Sequence, residues 1–276
     1  PQATALPPLG HHPYPATKPT ELVAAFDPAS ADPDVAAIVV TGTGRAFCAG
    51  MDLSSDGNVF GLDESQRPTM DDMVHRLDEP VILDGVRDTG GRVALAVYRC
   101  TKPVIAAING AAVGIGATMT LPMDVRIASE NARIGLVFGR LGIVPEACST
   151  WFLPRIVGIS RALELAYSAE ILDAQQALAA GLVREVVPAD DLLPTAYALA
   201  HRFVDGRSPV ATALMRQMIY RNSAQPDPLA AHQVESLAMF YSSIGDGKEG
   251  VAAFLGKRPA VFTGSVPQDL PPFNPW

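Results

Sequence analysis

FCAGMDL at residues 47–53, answered farther along by INGAAVGIGATMTLPMDVRIAS at 108–129, is the part of the chain from which the fold is read. The apolar runs AAIVVTG (36–42) and KPVIAAING (102–110) each lead into a glycine turn, within TGTGRAFCAGMDL (41–53) and NGAAVGIGATMTL (109–121). Short β-rich runs bounded by turn residues are how strands buried on both faces appear. Both turns end where a helix is able to begin, and backbone N–H groups at such turns are free to point at a ligand. The same glycines also suit tight turns with no ligand.

Working outward, DVRIAS (124–129) and LVREVV (182–187) are further strands, separated by helical periodicity such as SRALELAYSAEIL (160–172). This alternation predicts an α/β core over residues 21–189. Residues 1–20 carry Pro1, Pro7, Pro8, Pro13, Pro15 and Pro19 without periodicity and read as an extended arm. Residues 54–100, rich in Asp, Gly and Arg, read as an insertion or lid. From Asp190 to residue 262 only helical patterns occur, with Ser208-Pro209 and Asp227-Pro228 as cap-and-proline starts. The proline-rich end, 263–276, reads as an exposed tail.

Composition narrows the function. The 276 residues are 48% apolar and 18% charged, with mean hydropathy +0.18, enough apolar material for a sizeable core but no run long enough for a membrane span. A net charge of −8 disfavours nucleic-acid binding, though local cations still allow an anionic metabolite. Cys48, Cys100 and Cys148 are widely spaced in apolar settings, which predicts buried thiols rather than disulfides or a zinc site. No metal is expected, because the histidines show no zinc-ligand spacing. The opening PQATALPPLGHHPYP has neither the basic start nor the apolar stretch of a secretory signal, so a cytoplasmic location is expected. It also lacks an initiator Met, as a chain with upstream residues would.

Gly114-Ile115-Gly116 has Met119 where a dinucleotide fingerprint needs its third glycine, and no GxxxxGK[ST] loop is present. Ser149 and Thr150 lack a GxSxG elbow, Cys48 sits between Phe47 and Ala49 as a packing residue would, and Asp52 reads as a cap for a following helix.

The paired motifs FCAGMDL and INGAAVGIGATMTLPMDVRIAS, together with ARIG, GIVPEACSTWFLPRIVG, ALELAYSAEILDAQQALAAGLVREVV and KEGVAAFLGKRPAVF, closely resemble the enoyl-CoA hydratase/isomerase (crotonase) superfamily over roughly residues 20–262. The resemblance implies an α/β crotonase-like spiral of ββα units with a C-terminal helical trimerisation region, assembled as a homotrimer or homohexamer. It implies an acyl-CoA thioester as substrate, with coenzyme A entering as part of it and no separate cofactor. The two turns would form an oxyanion hole from the amides of Met51 and Ile115, flanked by Ala49, Gly50 and Gly114. Two amides aimed at one oxygen suffice to stabilise a thioester enolate.

Hydratases of this superfamily use two glutamates, and this chain carries Thr118 and Phe138 at those positions. A different carboxylate, Glu146 in VPEACST, matches the PEGCSS-like motif of peroxisomal Δ3,Δ2-enoyl-CoA isomerases. One base suffices to move a double bond, taking a proton from C2 and returning it at C4. The expected activity is therefore isomerisation with Glu146 as base. A hydratase or other enolate reaction, and a non-catalytic acyl-CoA binder, stand as alternatives; Glu146 as a mere partner of a helix dipole is the plainer reading. Phe138 is expected at the substrate, and Arg45, Lys102, Lys257 and Arg258 at the CoA phosphates, the last two across a subunit boundary. The superfamily usually opens with a β-hairpin and a PxxxNA segment, whereas here only YPATKPTELVAAFD, from Tyr14, resembles that region. Within 54–100, Val59, Phe60, Leu62, Met70, Met73, Val74 and Leu77 are expected to wall the acyl pocket, with Gly57, Gly61, Gly85, Gly90 and Gly91 as lid hinges.

Overall fold

In the computed structural model, which describes residues 2–5, 18–54 and 57–273, the chain climbs by alternating between two sheets. β2 (Val35–Thr41), β4 (Val104–Ile108) and β6 (Val125–Ser129) enter a five-stranded parallel sheet of order β1-β2-β4-β6-β9. Their successors β3 (Ala46–Cys48), β5 (Ala111–Val113) and β7 (Arg133–Gly135) enter a four-stranded sheet closed by β8 (Ile171–Asp173), the one antiparallel pairing in it. β9 (Glu185–Val187) completes the larger sheet.

β4 shows why these runs are uniformly apolar. Every residue in it is buried, with Val104, Ala106 and Ile108 joining the main core and Ile105 and Ala107 joining a second cluster beneath α9 (Leu192–Val204). Successive side chains point to opposite faces, so a strand covered on both sides needs apolar residues throughout. α9 is thus the outer layer of the core sheet rather than part of a separate helical region beginning at Asp190. α1 (Lys18–Ala31) and α4 (Thr89–Arg99) pack together against the main core through Leu22, Phe26, Val93 and Val97.

Three other boundaries differ from the sequence reading. Residues Gln2–Ala5 form β1, paired in parallel with β2, so they are a sheet edge rather than an unpaired arm. The pattern at 160–172 divides, with α7 (Ile159–Ser168) ending before β8. The tail is also not exposed throughout, because Val266 is 1% exposed among Val210, Ala213 and Leu214, and Phe273 stacks on Tyr241. Trp276 lies outside the described residues.

Within 54–100, α2 (Met70–His75) and α3 (Pro80–Gly85) are short surface helices, whereas α4 is an integral core helix with Val93 and Val97 fully buried. The insertion therefore stops short of Cys100. α10 (Pro209–Asn222), α11 (Pro228–Ile244) and α12 (Asp246–Leu255) follow; Ser208 and Asp227 accept N-cap hydrogen bonds, with Pro209 and Pro228 at the first helical position. Among the described residues no helix is long and apolar enough to cross a membrane.

Buried Arg216 on α10 ties this region to the core. Its Nε donates to Asp124 Oδ2 at 3.0 Å, and its terminal nitrogens donate to the carbonyls of Val97, Tyr98 and Cys100. Those carbonyls close the C-terminal end of α4, where a cation also complements the helix dipole.

Candidate active site

The two glycine turns come together because side chains are missing where their backbones approach. A Cβ on Gly116 would lie 2.0 Å from the Cys48 carbonyl oxygen, and one on Gly110 would lie 2.0 Å from that of Arg45. Gly50 and Gly114 have φ of +110° and +57°, in the left-handed region that L side chains rarely adopt. The turn at Gly114 starts α5 (Ile115–Thr118), whose first amide, on Ile115, has no acceptor within the helix. No helix follows the first turn directly. Asp52 instead accepts from the amide and hydroxyl of Ser54, closing a local turn, so it is not a helix cap.

Ala49, Gly50, Met51, Gly114, Ile115, Phe138 and Glu146 line one cavity of about 300 Å³. Of the expected acyl wall, Phe60 and Leu62 line it too, while Met70 and Val74 are exposed surface residues. Leu53, Val113, Val137, Leu141 and Ile143, which the sequence reading did not single out, add to the apolar lining beside Phe138. The segment Val137–Leu141 forms a 3-10 turn directly after β7, which carries Val137, Phe138 and Leu141 to the cavity.

Glu146 precedes two left-handed residues, Ala147 (φ +56°) and Cys148 (φ +53°), which turn the chain into α6 (Ser149–Val157). Its Oε1 accepts from the Thr118 hydroxyl at 2.5 Å. Its Oε2 rests against Gly90, where a Cβ would come within 1.8 Å of it and 2.3 Å of Ile115 Cδ1. Gly90 is therefore the space that Glu146 occupies, not a lid hinge. Burial pushes the Glu146 carboxyl up to about 8; the Thr118 hydroxyl opposes the shift, and the neighbouring charge of Asp88 adds to it.

Asp88 is the N-cap of α4 and lines the same cavity. Its Oδ1 accepts from the amides of Gly91 and Ala147, joining α4 to the turn behind Glu146. Sequence reading missed Asp88 because RDTGGR looks like a breaker. An acid one residue before an amphipathic run was the available signal.

The basic residues are more dispersed. Lys102 is buried at the end of β4 opposite the glycine turn, and burial lowers its pKa, so it is not presented to the cavity. Arg258 makes a two-pronged pair with Glu249 at 2.6 and 2.8 Å, which holds the Glu249 carboxyl down to about 2, so its guanidinium is already engaged. Arg45 and Lys257 are exposed, and neither lines the cavity. Arg140 does line it, and no hydrogen bond or ion pair engages its side chain among the described residues. No cluster of three or more His, Cys, Asp or Glu placed to hold a metal occurs among the described residues.

A two-sheet spiral with paired glycine turns facing an acid in an apolar cavity defines a class, and the chain belongs to the enoyl-CoA hydratase/isomerase family, whose model matches residues 15–265. It is an enzyme of that family, acting on acyl-CoA thioesters. The chain is 41% identical over 242 residues to the enoyl-CoA hydratase ACTT3 of Alternaria alternata, covering 87% of this chain and 74% of that protein. It is 36% identical to the 1,2-epoxyphenylacetyl-CoA isomerase of Escherichia coli, covering 84% of this chain and 83% of that one. The crystal structure of an enoyl-CoA hydratase from Bacillus anthracis superposes with TM-score 0.74 at 30% identity, covering 96% and 92% of the two chains.

Proposed function

We propose that this enzyme moves a carbon–carbon double bond of an acyl-CoA thioester, with Glu146 as the proton carrier and the Met51 and Ile115 amides holding the enolate oxygen. The observation that carries this reading is the place of Glu146, a carboxyl with a raised pKa beside the two glycine turns and against an apolar wall. A group of pKa near neutrality is suited both to take a proton from C2 and to return it at C4. In the same reading Thr118 orients the carboxylate through its 2.5 Å hydrogen bond. Coenzyme A enters as part of the substrate; exposed Arg45 and Lys257 are the remaining candidates among the expected phosphate contacts. The hydratase reading is favoured by relatives that are themselves named hydratases, such as ACTT3.

The test is to offer 3-enoyl-CoA and 2-enoyl-CoA to wild type and Glu146→Gln. Double-bond migration that falls by at least about 100-fold in the variant supports the proposal. Turnover of 2-enoyl-CoA alone, unaffected by the substitution, refutes it.

A further inference from the structure

The hydratase carboxylates are absent at Thr118 and Phe138, yet the cavity holds a second carboxylate, and it does not come from either of those positions. Asp88 reaches the cavity from the cap of α4, Glu146 from the turn before α6. The two are fixed relative to one another, because Asp88 Oδ1 accepts at 3.1 Å from the amide of Ala147, the residue next to Glu146. Asp88 is exposed to solvent, whereas Glu146 is half-buried with one oxygen on Thr118 and the other against Gly90. One acid therefore faces water and the other faces the apolar wall.

We propose that Asp88 is a second catalytic carboxylate that works with Glu146 across the cavity, so that the site handles water. The inference rests on the proposed reading of this cavity as the acyl site. The step it permits is water addition to a 2-enoyl thioester. A water lone pair forms the C3–O bond while its proton passes to the Asp88 carboxylate. The C2–C3 π pair shifts to give the enolate, which then takes the proton of Glu146 at C2. The proton left on Asp88 then returns to Glu146, so both groups are restored and one water has been added.

Among the described residues the groups around this pair are the Thr118 hydroxyl from α5, the Cys148 thiol from the cap of α6, Arg87 beside that thiol from the chain before α4, and Arg140 from the cavity lining after β7. With Glu146 raised to about 8, the protonated acid needed for water addition is present below that pH and the base needed for double-bond migration above it. The two reactions should therefore have opposite pH limbs on one group.

The experiment compares water addition to 2-enoyl-CoA with migration in 3-enoyl-CoA of matched chain length, across pH, for wild type, Asp88→Asn and Asp88→Ser. Both replacements keep an oxygen able to cap α4. Water addition is expected to fall about 100-fold in both variants, migration to fall less, and the migration limb to move to lower pH as a negative charge is removed. Water addition within about threefold of wild type would overturn the proposal. So would equal loss of both reactions with an unmoved pH limb, the signature of a purely structural cap, or a wild type that adds no water. A wild type that hydrates but does not isomerise would defeat the proposed function and leave the Asp88 pairing standing.

Discussion

At the residue scale the site depends on a missing side chain. Gly90 lies in the first turn of α4, where Gly to Ala ordinarily gains about 1 kcal/mol of helix stability. Here the added methyl would fall 1.8 Å from Glu146 Oε2. Gly90→Ala is expected to displace the carboxylate and cut kcat by at least about 100-fold; kcat and the melting curve together check this. Unchanged turnover would show that the carboxylate tolerates another position. Glu146 itself is held against its own ionisation. Its folded pKa of about 8 lies above the ordinary 4.5, so the folded state binds the proton more tightly and loses stability as pH rises between these values. Glu146→Gln, which stays neutral, is expected to match wild type below pH 4.5 and to exceed it by roughly 5 kcal/mol above pH 8. Denaturant melts at both pH values are the measurement, and a constant difference would contradict it.

At the element scale, α4 links site and scaffold. Its N-terminal end presents Asp88 and Gly90, and its C-terminal carbonyls are held by Arg216. Removing one member of a buried ion pair costs roughly 3–5 kcal/mol because the partner charge is left uncompensated. Arg216→Met is expected to lose about that much in denaturant melts and to loosen α4, with slower turnover although no cavity contact is removed; a loss below about 1 kcal/mol would show that α4 is held by packing alone. The sequence made much of this architecture legible, β2, β4 and β6 through apolar runs and α10 and α11 through their cap-and-proline starts. The glycine turns and Glu146 were legible as motifs. The place of α4 was not, since Gly90 and Gly91 look like breakers until the carboxylate beside Gly90 is seen. Lys102 misled for another reason, as a cation before a strand gives no sign of which end of the strand the ligand meets.

At the scale of the whole molecule, the helical end is incompletely covered. Met239, Phe240, Val251, Phe254, Leu255 and Val261 are all more than half exposed, with Phe254 at 83%. Apolar side chains left this exposed suit a contact with another chain, which is the expectation to test. The expected outcome is a trimer or hexamer in light scattering, and Phe254→Glu is expected to shift it toward monomer. A monomer across micromolar concentrations would remove the assembly.

The strand order carries a consequence for how such a chain is made. In the larger sheet, β1, β2, β4, β6 and β9 stand side by side in the order in which they are synthesised, and the smaller sheet repeats this with β3, β5, β7 and β8. Each new strand finds its neighbour already outside the ribosome, so both sheets are able to grow from one edge during translation. The last edge to be sealed is β6, which waits for β9 at Glu185–Val187 and stays open through the synthesis of about 55 intervening residues. Nascent chains of that length are where chaperone binding on this protein should concentrate.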